Sequence, residues 1–208
     1  MKLFYITITA LVSAASLQAA SVSITNHSFE TGAGLPPAPP ATVWNNNTPD
    51  GWTSPGGIGL QNTTGEGAVG NDGDIVVFIQ TGSIAQNITG SILGNSVSVG
   101  DVFTLTVAAT DQNGAPDFEF DIQDDFGASL IGGPVTSTTL LPDNPIYTDA
   151  VLTGTVDTDS PIALLVIQRT GGQVRIDNVR LDLVQVPEPS SAALLGLGGL
   201  ALILRRKK

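Results

Sequence analysis

The chain has 208 residues, no cysteine, a single His27 and a formal net charge of −11. That inventory excludes thiol catalysis, thiolate metal sites and a histidine-rich zinc centre. Between residues 21 and 185 there are 18 Asp and Glu against Arg169, Arg175 and Arg180 and no Lys, a net of −15, which repels nucleic acid and anionic membranes and removes both as partners of that segment.

Lys2 opens a start that is apolar from Leu3 to Leu17, and Ala19, Ala20 and Ser21 offer small side chains to a signal peptidase. Residues 1–20 therefore read as a secretory signal peptide. The 165 residues from 21 to 185 are enough for one domain with a buried core and no disulfides. Gly, Ser, Thr, Asn, Asp and Pro abound there, the apolar runs are short and rich in Val, Ile, Phe and Thr, and no helical period or internal repeat stands out, so the domain is expected to be all-β.

Val22 and Ile24 alternate with polar residues and open a first strand leading into Asn26-His27-Ser28-Phe29-Glu30. Gly32 to Pro40 carries four prolines and cannot be a central strand. Val43-Trp44 and Trp52 flank a polar turn, and the glycine-rich stretch from Gly56 to Gly73 reads as loop with one or two short strands. Ile75 to Gln80 is a continuous apolar run, expected to be buried on both faces. Ser83 to Thr89 and Val102 to Ala109 follow as strands. From Asp117 to Gln123, Phe118, Phe120 and Ile122 alternate with Glu119, Asp121 and Gln123, which predicts one face on a core and one in water. Val135 to Leu140, Ile146 to Val156 and Pro161 to Gln168 supply further strands. In the last strand Val174 and Ile176 share one parity and Val179, Leu181 and Leu183 the other. A β-bulge at Asp177-Asn178 would keep both halves facing inward. Eight to ten short strands with long connections predict a β-sandwich.

Beyond it, residues 186–208 form three parts: Val186-Pro187-Glu188-Pro189-Ser190-Ser191, an apolar run from Ala192 to Leu204, and Arg205-Arg206-Lys207-Lys208. Counted from Ser190 the apolar run would span about 22 Å as a helix, short of the roughly 30 Å hydrocarbon core, which suits a transient insertion better than a permanent anchor. The four cations would stop it at the cytoplasmic side. Motif, short hydrophobic helix and basic stop together resemble the PEP-CTERM sorting signal. The resemblance implies an exosortase-type membrane protease as partner, transient inner-membrane anchoring, and delivery to the cell surface or extracellular matrix.

The ends of the domain carry a second resemblance. Asn26-His27-Ser28-Phe29-Glu30, Gly51-Trp52 and Val174-Arg175-Ile176-Asp177-Asn178-Val179 are similar to the framing motifs of galactose-binding-like jelly rolls, which include many carbohydrate-binding modules. The resemblance implies a jelly-roll β-sandwich whose first and last strands meet, with a structural calcium held there by Glu30 and Asp177. Carboxylates and loop carbonyls are suitable donors for that ion, though ordinary solvated or capping roles serve the same two residues.

Other residues offer chemistry by type. Asn71-Asp72-Gly73-Asp74 has the composition of a calcium loop but lacks the spacing of an EF-hand, and a polar turn before Ile75 explains it as well. Asp121, Asp124 and Asp125 could supply an acid and a base to a glycoside, or line a solvated turn. Trp44 and Tyr147 are the candidates for stacking on a sugar face, with Asn45, Asn46 and Asn47 beside Trp44, whereas Trp52 belongs to the core. Without a Gly-x-Ser-x-Gly elbow, a triad through His27 has no support. The reading that follows is a non-enzymatic exported protein that binds polysaccharide or serves as a matrix component. A glycan-acting hydrolase and an ice-binding surface protein stand as alternatives, the latter requiring a regular Thr-x-Thr array of which Thr104-x-Thr106 is one instance.

Overall fold

The computed structural model describes residues 19–32, 34–36, 43–112 and 117–186. Residues 1–18, within the expected signal peptide of residues 1–20, and the sorting segment from Pro187 onward, with its hydrophobic run and basic end, lie outside the described residues. Among these residues the chain forms eleven strands: β1 (Ala19–Val22), β2 (Val43–Asn45), β3 (Ile58–Asn62), β4 (Ile75–Ile79), β5 (Ser83–Asn87), β6 (Val102–Asp111), β7 (Phe118–Gln123), β8 (Val135–Thr136), β9 (Thr148–Thr155), β10 (Leu164–Arg169) and β11 (Val174–Val184). All their pairings are antiparallel. A large sheet runs β2-β3-β4-β11-β6-β9 with β1 also on β11, and a small sheet runs β5-β10-β7-β8. The two pack face to face as the expected jelly-roll sandwich.

Alternation decides which side chains enter the interior. Phe103, Leu105 and Val107 of β6, Phe118, Phe120 and Ile122 of β7, and Leu165 and Ile167 of β10 are all fully buried. Losing one of these phenylalanine rings would cost about 3–5 kcal/mol, the transfer term plus the cavity left behind. The five residues of β4 are all buried, as the unbroken apolar run requires. Ile75, Val77 and Ile79 join the main core, while Val76 faces outward into a small second cluster with Ala108 and Tyr147.

β11 is the axis of the large sheet. Along one side it pairs with β6 from Val174 to Val184, and the register slips by one residue between Asp177 and Arg180. That is the bulge the parity change demanded: Asn178 takes a left-handed φ of 48°, and Val174, Ile176, Val179, Leu181 and Leu183 all stay buried. Along the other side β4 covers residues 174–176 and β1 covers 181–184. The bulge thus sits in the gap between two strands that share one edge. There the backbone N–H of Val179 donates to the His27 carbonyl at 2.9 Å.

Element boundaries depart from the sequence pattern in readable ways. β1 begins at Ala19, so Ala19 and Ala20 pair with Val184 and Leu183. Ile58–Asn62, inside the glycine-rich stretch, is a strand with all five residues buried. Its neighbour β4 supplies the pairing that so short a segment does not advertise on its own. The strand begun at Val135 ends at Thr136.

Candidate functional site

A cleft of about 500 Å³ opens on the large sheet, lined by Trp44, Gln61, Glu66, Phe78, Gln80, Gln112, Gln173 and Arg175. Strand register builds it, because Gln61 of β3 lies opposite Trp44 of β2, and Phe78 of β4 lies opposite Arg175 of β11. Trp44 is 60 % exposed and meets the Phe78 ring edge-on at a centroid separation of 6.1 Å. Gly59 makes this possible: a Cβ there would fall 2.0 Å from the Asn45 carbonyl oxygen and 2.3 Å from Phe78 Cζ.

The floor is a buried polar network. Arg175, 2 % exposed, donates from Nη1 to Glu66 Oε2 and to Asn144 Oδ1, both at 2.6 Å, and from Nε to Gln112 Oε1 at 2.9 Å. Gln61 Nε2 donates to the other Glu66 oxygen at 2.7 Å. The pair is satisfied by charge and by hydrogen bonds together, the condition under which a buried ion pair is tolerated. Tyr147 lies beneath this surface, 5 % exposed, so its ring face is covered by protein. Burial pushes its phenol above the ordinary range. Its hydroxyl, beside the Arg175 guanidinium, makes no hydrogen bond of normal geometry among the described residues.

A second constellation forms at the bulge, where Glu30 and Asp177 come together. The turn Asn26–Phe29 closes with the Phe29 N–H on the Asn26 carbonyl at 3.2 Å. Phe29 takes a φ of 59°, which sends its ring into the core against Trp52 at 5.6 Å. Trp52 is buried, as expected. Glu30 then faces the loop Asn71–Asp74, its Oε1 accepting from the backbone N–H groups of Asp74 at 2.7 Å and Ile75 at 2.6 Å. Asp177 Oδ2 accepts from the Asp72 N–H at 2.6 Å and Oδ1 from the Asn178 N–H at 2.7 Å. Two segments that the sequence reading kept separate therefore meet in one place. Gly73 has a φ of +92° and stands so close that a Cβ would lie 2.3 Å from Glu30 Oε1.

The electrostatics of this corner are unfavourable as it stands. Asp177 is fully buried, and burial pushes its carboxyl up to about 7, with the charges of Asp72 and Glu30 adding to the rise and two backbone N–H groups only partly offsetting it. Glu30 is raised for the same first reason, burial, with Asp74 and Asp72 contributing. His27 approaches Asp72 at 4.0 Å and is half-exposed. Among the described residues no three His, Asp or Glu side chains converge as a metal cage. The donors nonetheless suit a hard cation: they are oxygens only, they are negative, and their charge is poorly compensated. Glu30 and Asp177 would hold such an ion, with loop carbonyls filling the remaining positions.

The remaining candidates are dispersed. Asp121 is buried and accepts from Ser129 Oγ at 2.7 Å and Gln123 Nε2 at 3.0 Å. Asp124 accepts from the N–H groups of Phe126 and Ala128, closing a turn. Thr104 lies opposite Thr153, and Thr153-x-Thr155 of β9 adds a second short threonine run beside the first. Glu66, Gln112, Gln173 and Arg175 escaped the sequence reading. The available signal was Arg175 itself, a cation placed between Val174 and Ile176 on a strand whose neighbours are buried.

Comparison with known proteins bears on both ends of the question. Residues 185–208 match the PEP-CTERM protein-sorting motif, which marks a chain for export and membrane-anchored sorting to the surface. No curated protein matches the chain. An apo cyclase from Fischerella sp. superposes with a TM-score of 0.57 at 19 % identity, over 82 % of this chain and 98 % of that one. A second Fischerella cyclase superposes equally, at 15 % identity over 82 % and 100 %. The CBM22-1 xylan-binding domain from Paenibacillus barcinonensis gives a TM-score of 0.50 at 17 % identity, over 83 % and 100 %. The chain is similar to all three in fold, a sandwich of the kind carbohydrate-binding modules share, and it carries the PEP-CTERM sorting motif at its C-terminus.

Proposed function

We propose that this is an exported surface or matrix protein, sorted by an exosortase-type protease, whose sandwich binds polysaccharide without turning it over. The observation that carries the reading is the cleft, where an exposed Trp44 stands over Phe78 beside a row of glutamine amides and a satisfied Glu66–Arg175 pair. Sugars are recognised by aromatic faces together with amide and carboxylate partners for their hydroxyls. Of the described residues lining the cleft, Glu66 is the one carboxylate, and Arg175 and Gln61 already hold it. A glycosidase would need a second carboxyl group across the bond, and this favours a binding module over a hydrolase. Calcium at Glu30 and Asp177 is proposed as a structural ion that steadies the bulge. Tyr147 is assigned a place under the cleft, supporting Arg175, and Trp44 the contact with the sugar. The test is titration of the purified sandwich with bacterial exopolysaccharide, with release of reducing ends followed in parallel. Saturable binding lost in Trp44→Ala, with no release, supports the reading; release of product would replace it by a hydrolase.

A further inference from the structure

The sorting motif begins inside the fold. β11 ends at Val184 and the matched motif starts at Gln185, with no spacer between them. Gln185 Nε2 donates to the Leu93 carbonyl at 3.1 Å, and the Val186 N–H donates to Asp101 Oδ1 at 2.8 Å. Asp101 is 1 % exposed and fixed on every side. Its Oδ2 accepts from the Ser98 N–H at 2.9 Å. Its own N–H donates to the Ser98 carbonyl at 3.0 Å, and its carbonyl accepts from Val156 at 2.8 Å. A buried carboxylate held by several N–H donors makes strong, directional bonds.

We propose that Asp101 is a positioning residue for sorting: it clamps Val186 to the sandwich, so that only the chain beyond Val186 is offered to the protease. The proposal rests on the exosortase-type reading above. A protease takes its substrate as an extended strand whose backbone groups it pairs. Val184 is already paired with Val102 and Ala19, and Val186 with Asp101, so these residues cannot fill subsites on the enzyme while the sandwich is closed. The cut, in which water adds across one peptide bond, its hydroxyl to the carbonyl carbon and its proton to the departing amine, therefore falls C-terminal to Val186. The product keeps β11 whole.

The test uses the full chain in a host that supplies an exosortase-type protease, with the C-terminal peptide of the product identified by mass. Wild type should give a product that ends at or beyond Val186. Asp101→Ala should add ends upstream of Val186 or change the processing rate at least fivefold, and Asp101→Asn, whose single carbonyl oxygen can accept from the Val186 or the Ser98 N–H but not both, should fall between Asp101→Ala and wild type. An insertion of Gly-Ser-Gly between Val184 and Gln185 keeps Asp101 and all of β11 while moving Gln185 and Val186 away from Leu93 and Asp101, and should reproduce the Asp101→Ala pattern, which decides the matter if Asp101→Ala does not fold. Unchanged ends and rate in the insertion variant overturn the clamp, as does a wild-type product ending before Val186. A wild-type chain that is not cut at all overturns the sorting reading itself.

Discussion

The cleft and the bulge corner both place a carboxylate out of water next to β11, and they settle its charge in opposite ways. At the cleft, Glu66 is answered by the Arg175 guanidinium and by the Gln61 amide. At the corner, Glu30 and Asp177 are answered by backbone N–H groups alone, and the charge of Glu30 adds to the burden on Asp177. The first arrangement is complete within the chain, whereas on the calcium reading proposed above the second would gain from an added cation. The contrast separates a buried carboxylate whose charge the chain itself compensates from a pair that only backbone dipoles oppose.

The largest expected effect comes from breaking the complete side. Arg175→Ala leaves Glu66 without its cation beneath the cleft and should cost roughly 3–5 kcal/mol, a fall in Tm of about 10 °C for a domain of this size. Replacing both partners, Glu66→Gln with Arg175→Met, should recover much of that loss in the same melting experiment.

The incomplete side should respond to pH in the opposite sense from an ordinary paired carboxylate. Asp177 holds its proton up to about pH 7 in the folded chain, whereas an unfolded Asp releases it near its ordinary value of about 4. The folded state therefore binds more protons across that window, and in chelator stability should fall as pH rises from about 4 to about 7 and then level off. The total is on the order of 2–4 kcal/mol. Saturating calcium should flatten the profile, and Asp177→Asn should remove both the slope and the calcium response. A melting temperature indifferent to chelator at pH 7.5 would count against the ion.

Smaller effects sharpen the same contrast. Gly73→Ala forces a Cβ onto Glu30 and a left-handed backbone, at about 1–2 kcal/mol, and should weaken any calcium response more than it alters glycan titration. Trp44→Ala should do the reverse. With its ring mostly exposed, stability should change by less than about 0.5 kcal/mol, while glycan affinity drops about tenfold or more, which is about 1.4 kcal/mol.

How much of this was written locally? The alternation of Phe118, Phe120 and Ile122 placed the core face of β7, though its other face is not in water, since Asp121 is buried too; the parity change at Asp177-Asn178 placed the bulge, because both are matters of neighbouring residues. The meeting of Glu30 with Asp177 followed from a family resemblance, and the docking of Asn71–Asp74 over them did not follow at all. The burial of Tyr147 was equally hidden. Its N–H bonds to the Val69 carbonyl and the Val69 N–H to that of Pro145, so two distant loops fold over the outer face of β4 and β6. Arg175 finds Glu66 across 109 positions. Such contacts are decided by loop closure over the finished sheet, and no pattern within a single segment announces them.

β11 also measures the molecule. Arg175, at the cleft, and Val184, the last residue of β11, stand near the two ends of one strand, about 30 Å apart at the usual rise per residue. The cleft and the point where β11 ends therefore lie towards opposite ends of the sheet's central strand. Ala19 pairs with Val184, so the N-terminal edge starts at the Val184 end as well. Both ends of the described sandwich thus meet at one end of β11, and the cleft lies towards the other.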